Sequence, residues 1–333
     1  MITATSLPLD QVPWDELNSR PDRTVFQTRE WLEFLGESQR GRPIAAALCR
    51  DDRLVGWFGG VVIRRFGVRI LGSSFPGWTT PHVGFNLITD VTPSEALAAV
   101  ERFAFQSLRC LHIEMSDRAF VAEDGEALGF RRTAYETFVT DLRATEAELF
   151  KRMEGSCRRC IRKAEREGVV VEEGDPEGFA AQYIAQLEDV FAKQGKVPPY
   201  GTSRVEALIR HLYPTRRLLL LRALAPDGAV IATGIYPGHN RLAFFWGNAS
   251  FRAWQHLRPN EALHWYAMRW WKAHGAEVFD WGGGGDYKRK YGVRPLAIPW
   301  FYKSRVGAIT AARDASQRLF YWYQRWRGAR RRQ

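Results

Sequence analysis

The stretch EALHWYAMRWWKAHGAEVFDWGGGGDYKRKYG, Glu261 to Gly292, holds a helix, a strand and an unusual turn in a single reading. Leu263, Tyr266, Trp270 and Ala273 recur at helical spacing and are expected on one buried face, and Gly275 closes the helix. AEVFDWGG then reads as a strand. Four consecutive glycines, Gly282 to Gly285, allow the strand to end in a tight turn with positive φ and bare N–H groups. The turn runs directly into Tyr287, Lys288, Arg289 and Lys290. The Gly-Lys-Ser/Thr ending of a P-loop is missing, so this is not a nucleoside triphosphate cradle of that type. A simple flexible turn is the plain alternative.

Upstream of this stretch the same order of elements occurs twice. The first unit has a helix in TREWLEFLGES, strands in PIAAALCR, LVGWFGGVVIRR and VRILGSS, then a proline- and glycine-rich loop around Trp78 and His82. A helix starting at Thr92 or Ser94 and strands CLHIEMS and YETFVTDL complete it near Leu142. Thr145 with Glu148 predicts a capping box, Gly155 a helix break and Gly168 a helix stop. The second unit places a strand (VVVEEG), two helices and strands RLLLLRAL, AVIATGIYPG and RLAFFWGNAS ahead of the Glu261 helix. The expected fold is α/β with mixed sheets in two tandem domains, residues 1–142 and 143–305, followed by a basic aromatic C-terminal helix or tail, 306–333.

A chain of 333 residues is comfortable for two such domains, and 45% hydrophobic with 26% charged residues is ordinary for a globular protein. The net charge of +11 and pI near 9.7 favour anionic company: nucleic acid, nucleotide-linked substrates or an anionic membrane surface. No run approaches the roughly 18–20 apolar residues of a spanning helix, and the N-terminus lacks the pattern of a signal peptide, so a cytoplasmic location is expected. Cys49 and Cys110 read as buried small residues. Cys157 and Cys160 form a CxxC with no second ligand pair to complete a zinc set, and two helical positions that happen to be cysteine is the plainer reading. No HExxH and no Gly-x-Ser-x-Gly elbow occurs, and no metal is expected.

The segment TFVTDLRATEAELFKRMEGSCRRCIRKAEREGVVVEEG and the later EALHWYAMRWWKAHGAEVFDWGGGG...YKRKYG together resemble the FemAB-type aminoacyltransferases. The match runs from about Glu136 to Gly292 and is looser in the first half, through FQTREWLEFL and the loop after LGSS. The resemblance implies two tandem GNAT-type domains and formation of an amide on an amine acceptor. It further implies aminoacyl-tRNA as donor and a cell-wall precursor or other small, in some cases lipid-linked, amine as acceptor. No cofactor beyond the donor is then needed. The alternative is an acyl-CoA-dependent N-acyltransferase acting on an amino sugar or exopolysaccharide precursor. Against it, the glycine-rich pyrophosphate loop of CoA-using GNAT domains is replaced here by NASFRAWQHLRPNEAL. A catalytically silent RNA- or membrane-binding protein is the third reading.

Amide formation from an ester or thioester passes through an oxyanion, and each preorganised donor stabilises it by roughly 3–4 kcal/mol. On the family motif Lys288 takes this role. Tyr287 stands where relatives usually carry Phe and is placed to stack on a base of the acceptor end. Taken alone, Lys288 reads as an exposed lysine of a basic loop. Asp286 and Asp280 are the carboxylates nearest the motif in sequence, either one a weak candidate base, with Asp280 alternatively fixing the turn. Donor-binding candidates are Gly283, Gly284, Arg289, Lys290 and, on the basic helix, Arg158, Arg162 and Lys163, a set that reads equally as a solvated face. Acceptor-binding candidates are Trp78, His82 and Asn86, by loop position. The tail, with Arg325, Arg327, Arg330, Arg331 and Arg332 among five aromatics, suits an anionic membrane surface or RNA.

Overall fold

The computed structural model describes residues 1–88, 91–192 and 195–315. The first half opens with β1 (Ile2–Leu7), α1 (Trp14–Asn18) and α2 (Arg29–Gln39). The strands β2 (Arg42–Arg50), β3 (Arg53–Arg65), β4 (Val68–Gly72) and β5 (Gly84–Leu87) follow. Then come α3 (Pro93–Arg102), β6 (His112–Ser116), α4 (Glu123–Glu126) and β7 (Arg131–Asp141). The second half starts with α5 (Glu146–Arg152), α6 (Gly155–Arg166), β8 (Val170–Glu173), α7 (Phe179–Ala192) and α8 (Thr202–Leu212). It continues with β9 (Leu218–Leu224), β10 (Val230–His239), β11 (Leu242–Phe244), β12 (Gly247–Ser250), α9 (Pro259–Ala273), β13 (Val278–Asp280) and β14 (Arg294–Ser304).

Local signals account for much of this. The Thr145–Glu148 capping box forms with both reciprocal bonds, and Thr92–Glu95 makes a second one. Gly155 begins α6 after a break, and Gly168 ends its extension at φ +77°. The α9 helix is where predicted, but Leu263, Ala267, Met268 and Trp271 face the core while Tyr266 and Trp270 are half-buried and Ala273 is exposed. The true stripe includes Trp271 rather than its equally large neighbour, a choice that spacing alone does not make. RLAFFWGNAS, read as one strand, is two. The chain bends at Phe245–Trp246, and β11 and β12 pair with different parts of β10.

The strands form one hydrogen-bonded path, β1-β2-β3-β4-β6-β14-β7-β13-β11-β10-β9-β8, with β5 joined to β3 and β12 to β10. Two neighbouring pairs on it are parallel: β4 with β6 (Gly72 beside Glu114) and β11 with β13 (Phe244 beside Asp280). The final strand of each half crosses over. The first half's β7 pairs with β13, the second half's β14 pairs with β6, and β7 and β14 pair with each other over nine residues. The boundary near Leu142 is therefore bridged by sheet on both sides. One hydrophobic core also spans the halves, joining Phe26, Trp31 and Trp78 to Phe244, Trp246 and Tyr183. Among the described residues no helix is long and apolar enough to cross a membrane. The aromatic and arginine residues of the tail from Phe320 onward lie outside the described residues.

Candidate active site

The end of β13 is a buried carboxylate followed by the glycine turn. Asp280 is fully buried and accepts hydrogen bonds from the Thr137 hydroxyl (2.7 Å), the Gly282 N–H (3.0 Å) and the Arg118 guanidinium (2.7 Å). Thr137 in turn accepts from the Gly283 N–H at 3.2 Å. One anion thus gathers the first two N–H groups of the turn, directly or through a hydroxyl.

The turn's carbonyls go the other way. Lys288 Nζ donates to the carbonyl oxygens of Trp281 (2.6 Å), Gly282 (2.7 Å) and Gly283 (3.1 Å). The side chain is 3% exposed, with its ammonium 5.5 Å from the Phe245 ring centre, and burial lowers its pKa to about 8. A strand end clamped between an anion and a cation must turn abruptly, and Gly282 and Gly283 adopt φ of +63° and +79°. A Cβ on Gly282 would lie 2.6 Å from the Phe245 carbonyl oxygen. Glycine is required there by space as well as by backbone angle.

With these bonds made, the N–H groups of Gly284 and Gly285 have no partner among the described residues. Both glycines line a cavity of about 340 Å³, together with Glu136, Phe138, Arg289 and Leu296. Arg289 stacks over Phe138, 4.9 Å from the ring centre, and pairs with the exposed Asp286 at 3.2 Å. The cavity thus sets two bare amides and the Arg289 guanidinium beside two carboxylates, Glu136 and Asp286.

Several predicted site residues stand elsewhere. Lys288 is not an exposed lysine, and all three of its hydrogens are spent on the turn. Lys290 points inward to Glu261 at 2.5 Å, so it is not free to meet a phosphate. Asp286 is solvent-exposed, pairs with Arg289 and lines the rim of the glycine cavity, and among the described residues it makes no hydrogen bond to Asp280 or Lys288. Tyr287 is about half exposed, with the Lys288 ammonium 5.6 Å from its ring centre. On α6, Arg158 caps the preceding helix through the Lys151 and Met153 carbonyls, Arg162 lies over Phe150 and Lys163 is half-buried. Arg158 is thereby structural. The thiol of Cys157 is buried against Met153 and pushed up to about 12, which makes it unreactive.

The three acceptor candidates separate. Trp78 is buried in the shared core, and its carbonyl accepts from Arg204 of α8, fastening the loop to the second half. Asn86 is a strand residue in β5 and buried, with neither side-chain polar atom partnered. His82 lines a cavity of about 300 Å³ with Asp22, Thr24, Asp117 and Arg118. Burial holds His82 neutral, with a pKa of about 3, and raises the Asp117 carboxyl to about 6 despite bonds from the Ala119 and Phe85 N–H groups. Arg118 belongs to this cavity and to the Asp280 clamp at once. Sequence reading passed over Asp117, Arg118 and Thr137 because each is an ordinary polar residue at a strand. The crossing of β7 brings Thr137 to the turn, Arg118 reaches Asp280 from the segment after β6, and Asp117 stays in the His82 cavity.

Residues 151–291 match the family model described as an acetyltransferase (GNAT) domain. This part of the chain is a GNAT domain, and the protein is an acyltransferase. No protein of curated function matches it in sequence. Among solved structures it is similar to FemX, with a TM-score of 0.72 at 14% identity over 89% of this chain and 96% of that one. It is also similar to a tandem GNAT protein from the clavulanic acid biosynthesis pathway (TM-score 0.53, 11% identity, 91% and 98% covered) and to L-PGS from Bacillus licheniformis (0.53, 13%, 83% and 88%). The tandem GNAT architecture expected from the sequence is the observed fold. The matched GNAT domain contains the whole clamp except Thr137 and Arg118, which the first half lends it.

Proposed function

We propose that the glycine turn is the acyl-transfer centre of an enzyme that forms an amide by moving an amino acid from aminoacyl-tRNA to an amine acceptor, a cell-wall precursor or other small amine. The observation that carries this reading is the pair of glycines, Gly284 and Gly285, whose N–H groups have no partner among the described residues and which line a cavity beside the Asp280–Lys288 clamp. The amine attacks the aminoacyl ester carbonyl, a C–N bond forms, and the ester C–O bond breaks with the electron pair leaving on the ribose oxygen. The oxyanion formed in between sits against the two amides, and the Lys288 charge lies behind the turn rather than in direct contact. Arg289 faces the donor's phosphates. The cavity containing His82 takes the acceptor side, where the Asp117 carboxyl is placed to receive the ammonium proton that the leaving oxygen later needs. That FemX and L-PGS share the fold supports the donor class and an envelope-linked acceptor, and working at the inner face of the membrane would suit such an acceptor.

An acyl-CoA donor is the second reading, favoured by the GNAT match itself. Just past the paired ends of β11 and β13, Phe245, Trp281 and the Lys288 side chain pack together, and a pantetheine arm entering between these strand ends must displace them. Binding and transfer assays with a mixed aminoacyl-tRNA pool and with acetyl-CoA, each repeated on Lys288→Ala, separate the two. Saturable tRNA binding with transfer lost in the variant is the expected result. Acyl transfer from acetyl-CoA with no tRNA binding overturns the donor assignment.

A further inference from the structure

A second cavity, of about 720 Å³, lies at the far end of the second half's sheet from the glycine turn. Its strand residues come from the end of β10 and the start of β9, next to the start of β11, whereas the turn follows the end of β13, which runs parallel to β11. The volume is in the range of small-ligand sites. Leu218 to Leu220 and Gly238 form an apolar floor. One wall is the Tyr213–Pro214 connection, with Tyr213 37% exposed. The other is the C-terminal end of α9, where the Trp270 and His274 rings stack at 3.6 Å and 14°.

This stack is fixed. Trp270 Nε1 donates to Glu173 at 2.8 Å, and His274 Nδ1 bonds the Trp270 carbonyl at 2.7 Å. The rim is fixed as well, because Asn240 Nδ2 donates to the Arg20 carbonyl at 2.7 Å and His239 is bonded to that of Asn18, both in the first half. Arg217 pairs with Glu30 at 2.7 Å. Arg216, beside it, is exposed, and its guanidinium has no partner among the described residues. Among the described residues the one acid lining the cavity, Glu173, is engaged by Trp270.

Preorganised rings next to an unpaired guanidinium select a planar ring that carries an anion. We propose that this cavity binds a nucleotide, its base on the Trp270–His274 and Tyr213 surfaces and its phosphate on Arg216, whether as a free mononucleotide or as one unit of an RNA strand. The inference is independent of what is transferred at the glycine turn.

Isothermal titration of the full chain with AMP, adenosine, inorganic phosphate and hexaadenylate tests it. AMP binds saturably, and adenosine and phosphate each bind at least tenfold more weakly. Arg216→Glu, a change on an exposed side chain, weakens AMP at least tenfold, and His274→Ala weakens it severalfold. Lys288→Ala leaves the titration unchanged. Hexaadenylate binding more than tenfold tighter than AMP assigns the site to RNA, and equal binding assigns it to free nucleotide. Absence of AMP binding overturns the proposal. So does adenosine or phosphate binding as well as AMP, AMP binding indifferent to Arg216→Glu, or AMP binding that disappears in Lys288→Ala.

Discussion

The two parallel strand pairs are built alike and end differently. In each, the third and last register position carries a buried acid held by an arginine: Glu114 beside Gly72, held by Arg313, and Asp280 beside Phe244, held by Arg118. After Glu114 the chain closes on itself. His112 and Trp300 also bond Glu114, and Asp117 seals the following turn by accepting from the Ala119 and Phe85 N–H groups. After Asp280 the chain stays open. Four glycines leave two unbonded amides at residues lining a cavity, and a lysine collects the carbonyls before them. A duplicated framework has thus kept the acid in both halves but opened the backbone in only one. That half carries the open turn, while the other supplies Arg118 and Thr137 to it.

Removing either acid tests the shared part of this comparison and carries the largest expected effect. Asp280→Ala strands Arg118 and frees the turn, costing about 3 kcal/mol by urea denaturation and abolishing acyl transfer. Glu114→Ala costs a similar amount, about 3 kcal/mol, yet leaves the folded fraction active. Equal loss of activity in both would end the division of labour. Next in size, Lys288→Met should reduce transfer by roughly 10²–10³-fold through a slower catalytic step, measured under donor saturation. The same lysine sets an alkaline limit. With its pKa lowered to about 8, the cation is lost as pH rises through that value, so the rate should fall there, and a profile flat to pH 10 would remove the charge from the mechanism. Gly282→Ala should cost about 1–2 kcal/mol from the left-handed backbone alone, with more from the Phe245 contact, read as a lower thermal midpoint.

The smallest predicted effect is symmetrical. Each half buries a histidine that burial holds neutral, His82 and His264, both with a pKa of about 3 against an ordinary 6.5. The unfolded chain binds the proton more readily, so their contribution is complete above about pH 6.5 and is lost as pH falls toward 3. His82→Phe and His264→Phe should each flatten the fall in stability between pH 6 and pH 4 by up to ~1.4 kcal/mol per pH unit.

The sequence carried the second half of this architecture more clearly than the first. Capping residues, helix breaks and the strand before the glycines are local signals, and they formed where expected. The stripe of α9 was displaced because Trp270 and Trp271 are alike in size and only packing distinguishes them. β14 was overlooked because RPLAIPWFYKS carries two prolines, Pro295 and Pro299, residues that weaken a strand signal, although the strand is paired on both sides. The sequence singled out the motif lysine, but not its burial or its orientation toward the turn's carbonyls. Whether an ammonium meets a substrate or three carbonyls depends on how the turn folds back, and no spacing encodes that. Arg118 and Thr137 were beyond reach for the same reason, lying 162 and 143 residues from Asp280.

The exchange of β7 and β14 also governs the order in which the molecule is made. A ribosome finishes the first half's own segment near Leu142, yet the strand that covers β6 arrives only with Arg294–Ser304. Until then the growing chain carries an unpaired edge at β6, the kind of edge that invites aggregation. A chain cut short before residue 294 would leave β6 and β7, both strands of the first half, without a partner on one side.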